Sequence, residues 1–154
     1  MVIKLESTLV GVAGEYLVAG ELTLRGFIAS ITLRNSRGVD IIVTNAEATK
    51  SVSIQVKTNS NGQKLWMVNK KAESYFSDTN FYIFVTLQSL NERPAYHIVP
   101  SQFVATHVTE NHAKWLLGIK KDGSPRKDTS MRKFSDDKGK YLEAWHLLRL
   151  SHAE

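Results

Sequence analysis

Apolar and polar residues alternate most regularly between residues 51 and 58, where the chain reads SVSIQVKT. Because successive side chains of a strand point to opposite faces, the three aliphatic residues would line one face of this strand. A polar row that ends in Gln55 and Lys57 would line the other face. A solvent-exposed sheet face is the ordinary explanation of such a row. The alternative is a polar site built on the sheet.

The same kind of pattern predicts the elements around this strand. A long helix begins at Ser7 or Thr8, either of which can cap it, and Gly26 is placed to end it. The segment FYIFVTL is apolar throughout, which is typical of a buried strand. We predict helices over 7–25, 69–76, 101–117 and about 138–150, strands over 27–33, 39–44, 51–58, 65–68, 81–87 and 95–99, and a turn at 35–38.

This order of helices and strands predicts an α/β (α+β) fold with a mixed central sheet. In the last two helices, apolar residues recur at helical spacing, so we expect them to face the core. These core candidates are Phe103, Val104, Val108, Trp115 and Leu116 in one helix, and Tyr141, Leu142, Trp145 and Leu148 in the other.

Length and composition narrow the class of protein. The chain has 154 residues, 42% of them hydrophobic and 23% charged, which fits one globular domain over residues 1–154. It has no cysteine, which excludes a disulfide framework, a thiolate zinc site and a thiol nucleophile. No apolar run approaches the roughly 20 residues of a membrane helix, and the N-terminus lacks the pattern of a signal peptide. We therefore expect a cytoplasmic protein without a membrane segment.

Positive charge is concentrated in one segment. The net charge is +5, and residues 118–140 contain eight Lys and Arg against four Asp, which leaves +4 in this segment. We predict a basic loop here, either a solvated loop or a surface for a polyanion such as nucleic acid. The residues expected to contact nucleic acid are Lys120, Lys121, Arg126, Lys127, Arg132 and Lys133.

Two acidic residues occur where the pattern predicts apolar ones. Glu15 falls on the stripe that Val12, Val18 and Leu22 form along the first helix, so it would lie in the middle of a buried face. Asp40 precedes three aliphatic residues of a strand. Burying an unpaired carboxylate is costly, so each should have a partner, a metal ion or a chemical role. The structural alternatives are a glutamate that reaches solvent and an aspartate that bonds to the preceding turn.

Together these polar residues fit a site for a hard divalent cation. If the second and third strands pair, Asp40 and Gln55 can lie side by side and offer a carboxylate and an amide oxygen. Mg²⁺ binds such oxygens and keeps several waters. The Val56 carbonyl could face the same way, and Glu15 could bind directly or through a metal-bound water. Lys57 would orient or deprotonate the attacking water, so the set predicts metal-assisted phosphodiester hydrolysis.

About the first sixty residues carry four short segments: GEY at 14–16, RGF at 25–27, GVDII at 38–42 and IQVKT at 54–58. In this order and spacing they resemble the PD-(D/E)xK nuclease superfamily. The resemblance is nearest to archaeal Holliday-junction resolvases and to the endonuclease domains of methylation-dependent restriction enzymes. It implies a restriction endonuclease-like core, in which a mixed central β-sheet is flanked by helices.

The resemblance also implies a role for each matching position. Asp40 matches the central metal-binding acid, Gln55 the second acidic position, Lys57 the catalytic lysine and Glu15 the auxiliary helix acid. Val39 stands where the family name has a proline, and the residue at that position does not bind the metal. Gln55 replaces a carboxylate by an amide, which binds Mg²⁺ less strongly. The implied cofactor is Mg²⁺, with Mn²⁺ as a substitute; the implied partner is DNA, and a homodimer is compatible with the family.

Two functions follow. The first is a Mg²⁺-dependent endonuclease that hydrolyses phosphodiester bonds in DNA, with the basic loop gripping the backbone. The second is a non-catalytic nucleic-acid- or protein-binding module on the same fold, its metal site weakened at Gln55. Trp66, Trp115 and Trp145 could stack on bases, but core packing is favoured, at least for the last two.

Overall fold

The computed structural model describes residues 4–33 and 37–151, so part of the turn predicted at 35–38 lies outside the described residues. The elements, in chain order, are α1 (Ser7–Leu24), β1 (Ile28–Ile31), β2 (Ile41–Thr44), β3 (Ser51–Asn59), β4 (Leu65–Asn69), a 3₁₀ turn (Lys70–Glu73), β5 (Asn80–Thr86), β6 (Ala95–Pro100), α2 (Ser101–Leu116), β7 (Met131–Ser135) and a second 3₁₀ turn (Trp145–Leu148). None of the helices in these ranges combines the length and the apolar character of a membrane-spanning segment.

Five strands form the central sheet, in the order β1-β2-β3-β5-β6. β3 and β5 run parallel, while the other neighbouring pairs are antiparallel. β4 and β7 pair with each other in a separate two-stranded antiparallel ribbon. The predicted α/β (α+β) fold with a mixed central sheet flanked by helices is confirmed. The single domain over residues 1–154 stays a prediction.

The aliphatic row of β3 faces α1. Val52, Ile54 and Val56 are buried in one cluster with Val18 and Leu22 of the helix. The two-residue period of the strand and the 3.6-residue period of the helix thus present their apolar sides to each other. Burial of these sides against each other holds α1 on this face of the sheet.

α1 comes very close to β3 at Gly14, which lies between two buried valines of the helix, Val10 and Val18. A Cβ atom added to Gly14 would be 1.8 Å from the hydroxyl oxygen of Thr58 in β3. Any other residue at this position would therefore collide with the strand. The absent side chain sets the distance at which the helix crosses the sheet.

A second core lies on the opposite face of the sheet, beneath α2 and the ribbon. Trp66 of β4 and Phe134 of β7 pack on Phe84 of β5, whose ring centroid is 4.4 Å from that of Phe134. The Trp66 indole N–H donates to the backbone oxygen of Val85 at 2.9 Å. Trp66 is therefore a core residue that attaches the ribbon to the sheet.

α2 forms over nearly the predicted range, but its apolar face is narrower than expected. Val104 and Val108 are buried against the second core, as predicted. Phe103 and Trp115 are exposed, and Leu116 is half-buried, so the prediction that they belong to the core is wrong for the two aromatic residues. Val104 and Val108 lie on the buried side of α2, and the two aromatic residues lie outside it.

The helix predicted at 138–150 is wrong, because only the turn Trp145–Leu148 is helical. Gly139, Glu143 and Arg149 have positive φ angles, which a right-handed helix does not contain. Trp145 and Leu148 are buried as expected, but the neighbouring Leu142 is exposed. The apolar residues of this segment therefore recur at helical spacing although the segment itself is irregular.

This C-terminal segment pairs with β6 instead of forming a helix. The Ile98 N–H donates to the oxygen of Tyr141 at 3.0 Å, and the Glu143 N–H donates to the oxygen of Tyr96 at 2.8 Å. These bonds cover the outer edge of β6, so that its backbone groups are not left unpaired.

The segment 118–140, predicted as a basic loop, contains a strand. In β7, Arg132 and Phe134 face the interior while their neighbours are exposed or half-exposed. Pairing with β4, rather than a strong local pattern, makes these residues a strand. The short helix predicted at 69–76 is likewise reduced to the 3₁₀ turn Lys70–Glu73.

Asp136 fastens the C-terminal segment to the sheet. Its buried carboxylate lies 2.7 Å from Nδ1 of His97, which is also buried. It accepts the N–H groups of Lys140 and Tyr141, each at 2.9 Å. One side chain therefore connects the end of β7, β6 and the segment that follows.

A surface network connects α1 to the same C-terminal segment. The Arg93 guanidinium binds both carboxylate oxygens of Glu21, at 2.6 and 2.9 Å, and contacts Glu143 at 3.1 Å. The hydrogen bonds from Arg93 hold the pKa of the Glu21 carboxyl below its usual value. Arg25 lies over the ring of Trp145, with 4.1 Å between the guanidinium carbon and the ring centroid.

We expect Gly14→Ala to destabilise the protein by about 1–3 kcal/mol, the usual cost of overpacking, because the new methyl group collides with Thr58. Gly20→Ala is the matched control in the same helix, where a Cβ meets no atom within 4 Å; it should stabilise by about 0.5–1 kcal/mol. Urea unfolding measures both. In a double-mutant cycle with Thr58→Gly, the cost of Gly14→Ala should shrink, and an unchanged cost would contradict the contact.

We expect Asp136→Ala to lower the free energy of unfolding by about 3–5 kcal/mol, because it leaves His97 and two backbone N–H groups without their partner. Asp137→Ala removes the same group from the adjacent exposed position and should cost less than about 0.5 kcal/mol. Thermal and urea unfolding of the two variants would give the comparison. Equal effects would mean that the Asp136 contacts do not stabilise the fold.

Candidate functional site

Asp40 lies immediately before β2, where the pairing of β2 with β3 ends. Its N–H donates to the oxygen of Ile54 at 2.8 Å, and Ile54 also faces Ile41 across the ladder. Two successive residues of one strand therefore face a single residue of the next, which is the arrangement of a β-bulge. A bulge changes the direction of the side chain it carries, and here it turns Asp40 towards β3.

The Asp40 carboxylate binds the backbone of β3. Its Oδ2 atom accepts the N–H of Val56 at 2.7 Å, and within the described chain its Oδ1 atom has no hydrogen-bond partner. Thr32 fixes the backbone on the other side, because its N–H donates to the Asp40 oxygen at 2.9 Å and its hydroxyl donates to the oxygen of Val39 at 2.6 Å. Asp40 thus bonds to the neighbouring strand rather than to the preceding turn.

Gln55 and Lys57 flank the residue that Asp40 binds. Both are half-buried, and they lie on the face of the sheet that also carries Tyr82 and Phe84, their register partners in β5. Neither side chain makes a hydrogen bond or an ion pair with the residues that the structure describes. The structure therefore brings Asp40, Gln55 and Lys57 to one stretch of β3 and leaves the amide and the ammonium available.

Glu15 is placed differently from the other three. The buried positions of α1 include Gly14 and Val18 but not Glu15, which is half-buried beside the stripe. The expectation that Glu15 lies in the middle of the buried face is wrong, because close packing at Gly14 sets the orientation of the helix. α1 also covers the face of β3 opposite to Gln55 and Lys57. A role of Glu15 at the metal stays a prediction.

Two tyrosines at this site are not indicated by the sequence pattern. The Tyr75 hydroxyl donates to the oxygen of Arg37 at 3.4 Å, and its ring edge lies against Gly38, where an added Cβ would be 3.0 Å away. Gly38 has a φ of +62°, so both its backbone and its surroundings favour glycine. Burial, with a smaller contribution from Tyr75, raises the pKa of Tyr82 to about 12. Tyr75 thus supports the turn that leads to Asp40.

The donor set at this site is poor in carboxylates. Within residues 4–33 and 37–151, no group of three or more His, Asp or Glu side chains is arranged to hold a metal ion. Any hard cation here would depend on the Asp40 carboxylate together with neutral oxygens, such as the amide of Gln55.

The basic residues of segment 118–140 divide into two groups. Arg132 is 3% exposed and is bound to Glu73 and to the oxygen of Thr129. Its contact with nucleic acid stays a prediction. Arg126 donates to the oxygen of Trp115 at 2.8 Å and lies over its ring. Of the six residues predicted to contact nucleic acid, Lys120, Lys121, Lys127 and Lys133 have exposed side chains with no ion pair to another described residue.

Asp128 is the centre of a small charged cluster to which Arg132 belongs. Its carboxylate lies 2.8 Å from Nε2 of His112 and 3.2 Å from Nζ of Lys70, and 3.3 Å from Arg132. The hydrogen bonds from His112 and Lys70 hold the pKa of Asp128 well below its usual range. This cluster joins α2, the turn after β4 and the start of β7.

The fold is similar to that of a bacterial homing endonuclease, I-Ssp6803I. The two structures superpose with a TM-score of 0.56 over 94% of this chain and 92% of that chain, at 14% sequence identity. No protein-family model matches the sequence, and no curated protein matches it. The comparison shows that this chain has a fold that a nuclease also adopts.

Proposed function

We propose that the protein is a PD-(D/E)xK nuclease that hydrolyses phosphodiester bonds in DNA with Mg²⁺ or Mn²⁺. One observation carries the proposal: the Asp40 carboxylate is directed at the middle residue of Gln55-Val56-Lys57, at the end of the β2–β3 pairing. The similarity of the fold to a homing endonuclease supports it.

The oxygens around Asp40 fit a hard divalent cation. Oδ1 of Asp40 has no hydrogen-bond partner among the described residues, and Gln55 directly precedes Val56, whose N–H binds Oδ2. The C=O of a strand residue points to the same edge as its N–H, so the Val56 carbonyl faces the edge on which Asp40 lies. These three oxygens would hold the ion, with waters completing its shell. Glu15 would act from the opposite face of β3, at most through one of those waters.

Lys57 supplies the positive side chain of the site. Its ammonium lies two residues beyond Gln55 on the same face of β3, where it would orient an attacking water or offset charge on a phosphate. A bound divalent ion would polarise the phosphate and lower the pKa of its water. Tyr75 bonds to the turn before Asp40, and Thr32 bonds to the backbone of Asp40 itself, so both contacts would help to keep the carboxylate in place.

A second function is favoured by the amide at Gln55. With no group of three His, Asp or Glu ligands among the described residues, the site would bind Mg²⁺ weakly, and the chain would serve as a non-catalytic binding module. The exposed lysines of segment 118–140 would serve either function as contacts for the DNA backbone. Cytoplasmic location and a homodimer stay predictions.

We expect Asp40→Asn and Lys57→Ala each to lower Mg²⁺-dependent cleavage of plasmid or junction DNA by at least about 10²-fold, because each removes a group from the reacting centre. Lys50→Ala, at an exposed position just before β3, is the control and should cleave like wild type. Cleavage assays with Mg²⁺ and with Mn²⁺ measure the effect. Gln55→Glu should retain or raise activity, since a carboxylate binds the ion more strongly.

Two results would contradict parts of the proposal. One is complete loss of activity in folded Gln55→Glu, which would contradict the assignment of Gln55 as a metal ligand. The other is DNA binding by wild type with no cleavage under either metal, which would leave the binding module.

We expect charge reversal of Lys120, Lys121, Lys127 and Lys133 to weaken DNA binding and to flatten its dependence on salt. Each lost phosphate contact should reduce the slope of log K against log salt by about 0.9. Lys138→Glu changes a charge in the same segment outside the predicted contacts, and serves as the control. Fluorescence anisotropy in EDTA gives both quantities. If affinity and slope stay unchanged, segment 118–140 does not contact DNA.

A further inference from the structure

A groove lies on the outer side of the β4–β7 ribbon, away from the central sheet. It has a volume of about 260 Å³ and is bounded by the ribbon and by the C-terminal half of α2. Leu65 and Met67 of β4 and Met131 of β7 contribute its apolar lining, and Trp115 of α2 contributes an indole. We call it the ribbon groove.

The ribbon groove leaves large apolar side chains open to solvent. Met67 is 41% exposed, Met131 is 45% exposed and Trp115 is 38% exposed, and the three line the same cavity. Thioethers are polarisable and make favourable contacts with aromatic rings. Trp115 is held in place by Arg126 and by His112, whose ring lies 5.4 Å from the indole. A rigid indole beside two methionines suits a flat aromatic ligand.

Polar groups converge on the same groove. Asn111 uses its amide nitrogen to contact His107 at 2.8 Å, and its amide oxygen has no hydrogen-bond partner among residues 4–33 and 37–151. The Ser135 hydroxyl and the Lys133 ammonium also line the groove, and neither has a hydrogen-bond partner within the described ranges. Groups of this kind bind the edges of nucleic-acid bases, whose faces stack on aromatic side chains.

Charge and size point to the class of ligand. Lys133 lines the groove with an exposed ammonium, while none of the lining residues in the described chain is acidic. Arg132 also belongs to the lining, but its charge is paired with Glu73 and Asp128. The surrounding segment 118–140 carries most of the net positive charge. The volume is slightly below the roughly 300–1,000 Å³ of pockets that enclose drug-sized molecules. The groove is therefore suited to one ring system attached to an anionic chain.

We propose that the ribbon groove binds a single unstacked base of a nucleic-acid strand, with Lys133 at the adjoining phosphate. The choice of nucleic acid as the partner rests on the proposed function, whereas base binding does not depend on hydrolysis. A base held here would have to leave its stack, so the groove favours single-stranded or distorted DNA over intact duplex.

The test compares two strands of equal length and charge in EDTA: oligothymidylate and a fully abasic oligonucleotide. Wild type should bind oligothymidylate about fivefold to a hundredfold more tightly, which is the range for stacking one base. Trp115→Ala and Met67→Ala should each reduce this preference to near one. Leu117→Ala, at an exposed position two residues after Trp115 that does not line the groove, should retain it. Circular dichroism establishes that each variant is folded.

Three outcomes would overturn the proposal. The first is equal affinity of wild type for the two strands, which would mean that only phosphates are bound. The second is an unchanged preference in both folded groove variants. The third is a dimer in sedimentation that Met131→Glu dissociates, because the groove would then be an interface between copies. Because EDTA prevents metal-dependent cleavage, these outcomes are independent of whether Asp40 and Lys57 support hydrolysis.

Discussion

β3 is bonded along both edges and covered by α1 on one face, and the rest of the molecule is arranged around this constraint. β2 and β5 occupy its edges, and α1 lies on its aliphatic row. Where the β2 ladder ends, the Val56 N–H still needs an acceptor, since an unpaired buried amide is costly. The Asp40 carboxylate is that acceptor. The bond that completes the strand therefore also places a carboxylate beside an amide and an ammonium.

Elements whose local pattern agrees with their burial could be predicted from the sequence. α1, α2, β3 and β5 have clear periodicity or continuous apolar residues, and each forms within a few residues of the expected range. β7 and the C-terminal segment could not be predicted in this way. β7 exists because β4 lies beside it, and the segment after it follows β6 because Asp136 bonds to His97. Such long-range contacts leave little trace in a local pattern.

The candidate site could be predicted only where its residues lie on elements that are neighbours along the chain. Asp40 and Gln55-Val56-Lys57 belong to neighbouring strands joined by a short connection, so their proximity follows from local order. The position of Glu15 depends on how α1 rotates against the sheet, and the contact of Gly14 with Thr58 decides this rotation. Tyr75 reaches the turn before Asp40 from 38 positions away, a distance over which no spacing rule applies.

The C-terminal segment limits how copies of the chain can pair through the edges of their central sheets. It occupies the outer side of β6, whereas β1, four residues long, has a neighbour on one side only in the described chain. Strand addition needs an open edge on each partner. The central sheet can therefore join one other sheet through β1, and it cannot be extended from both of its ends.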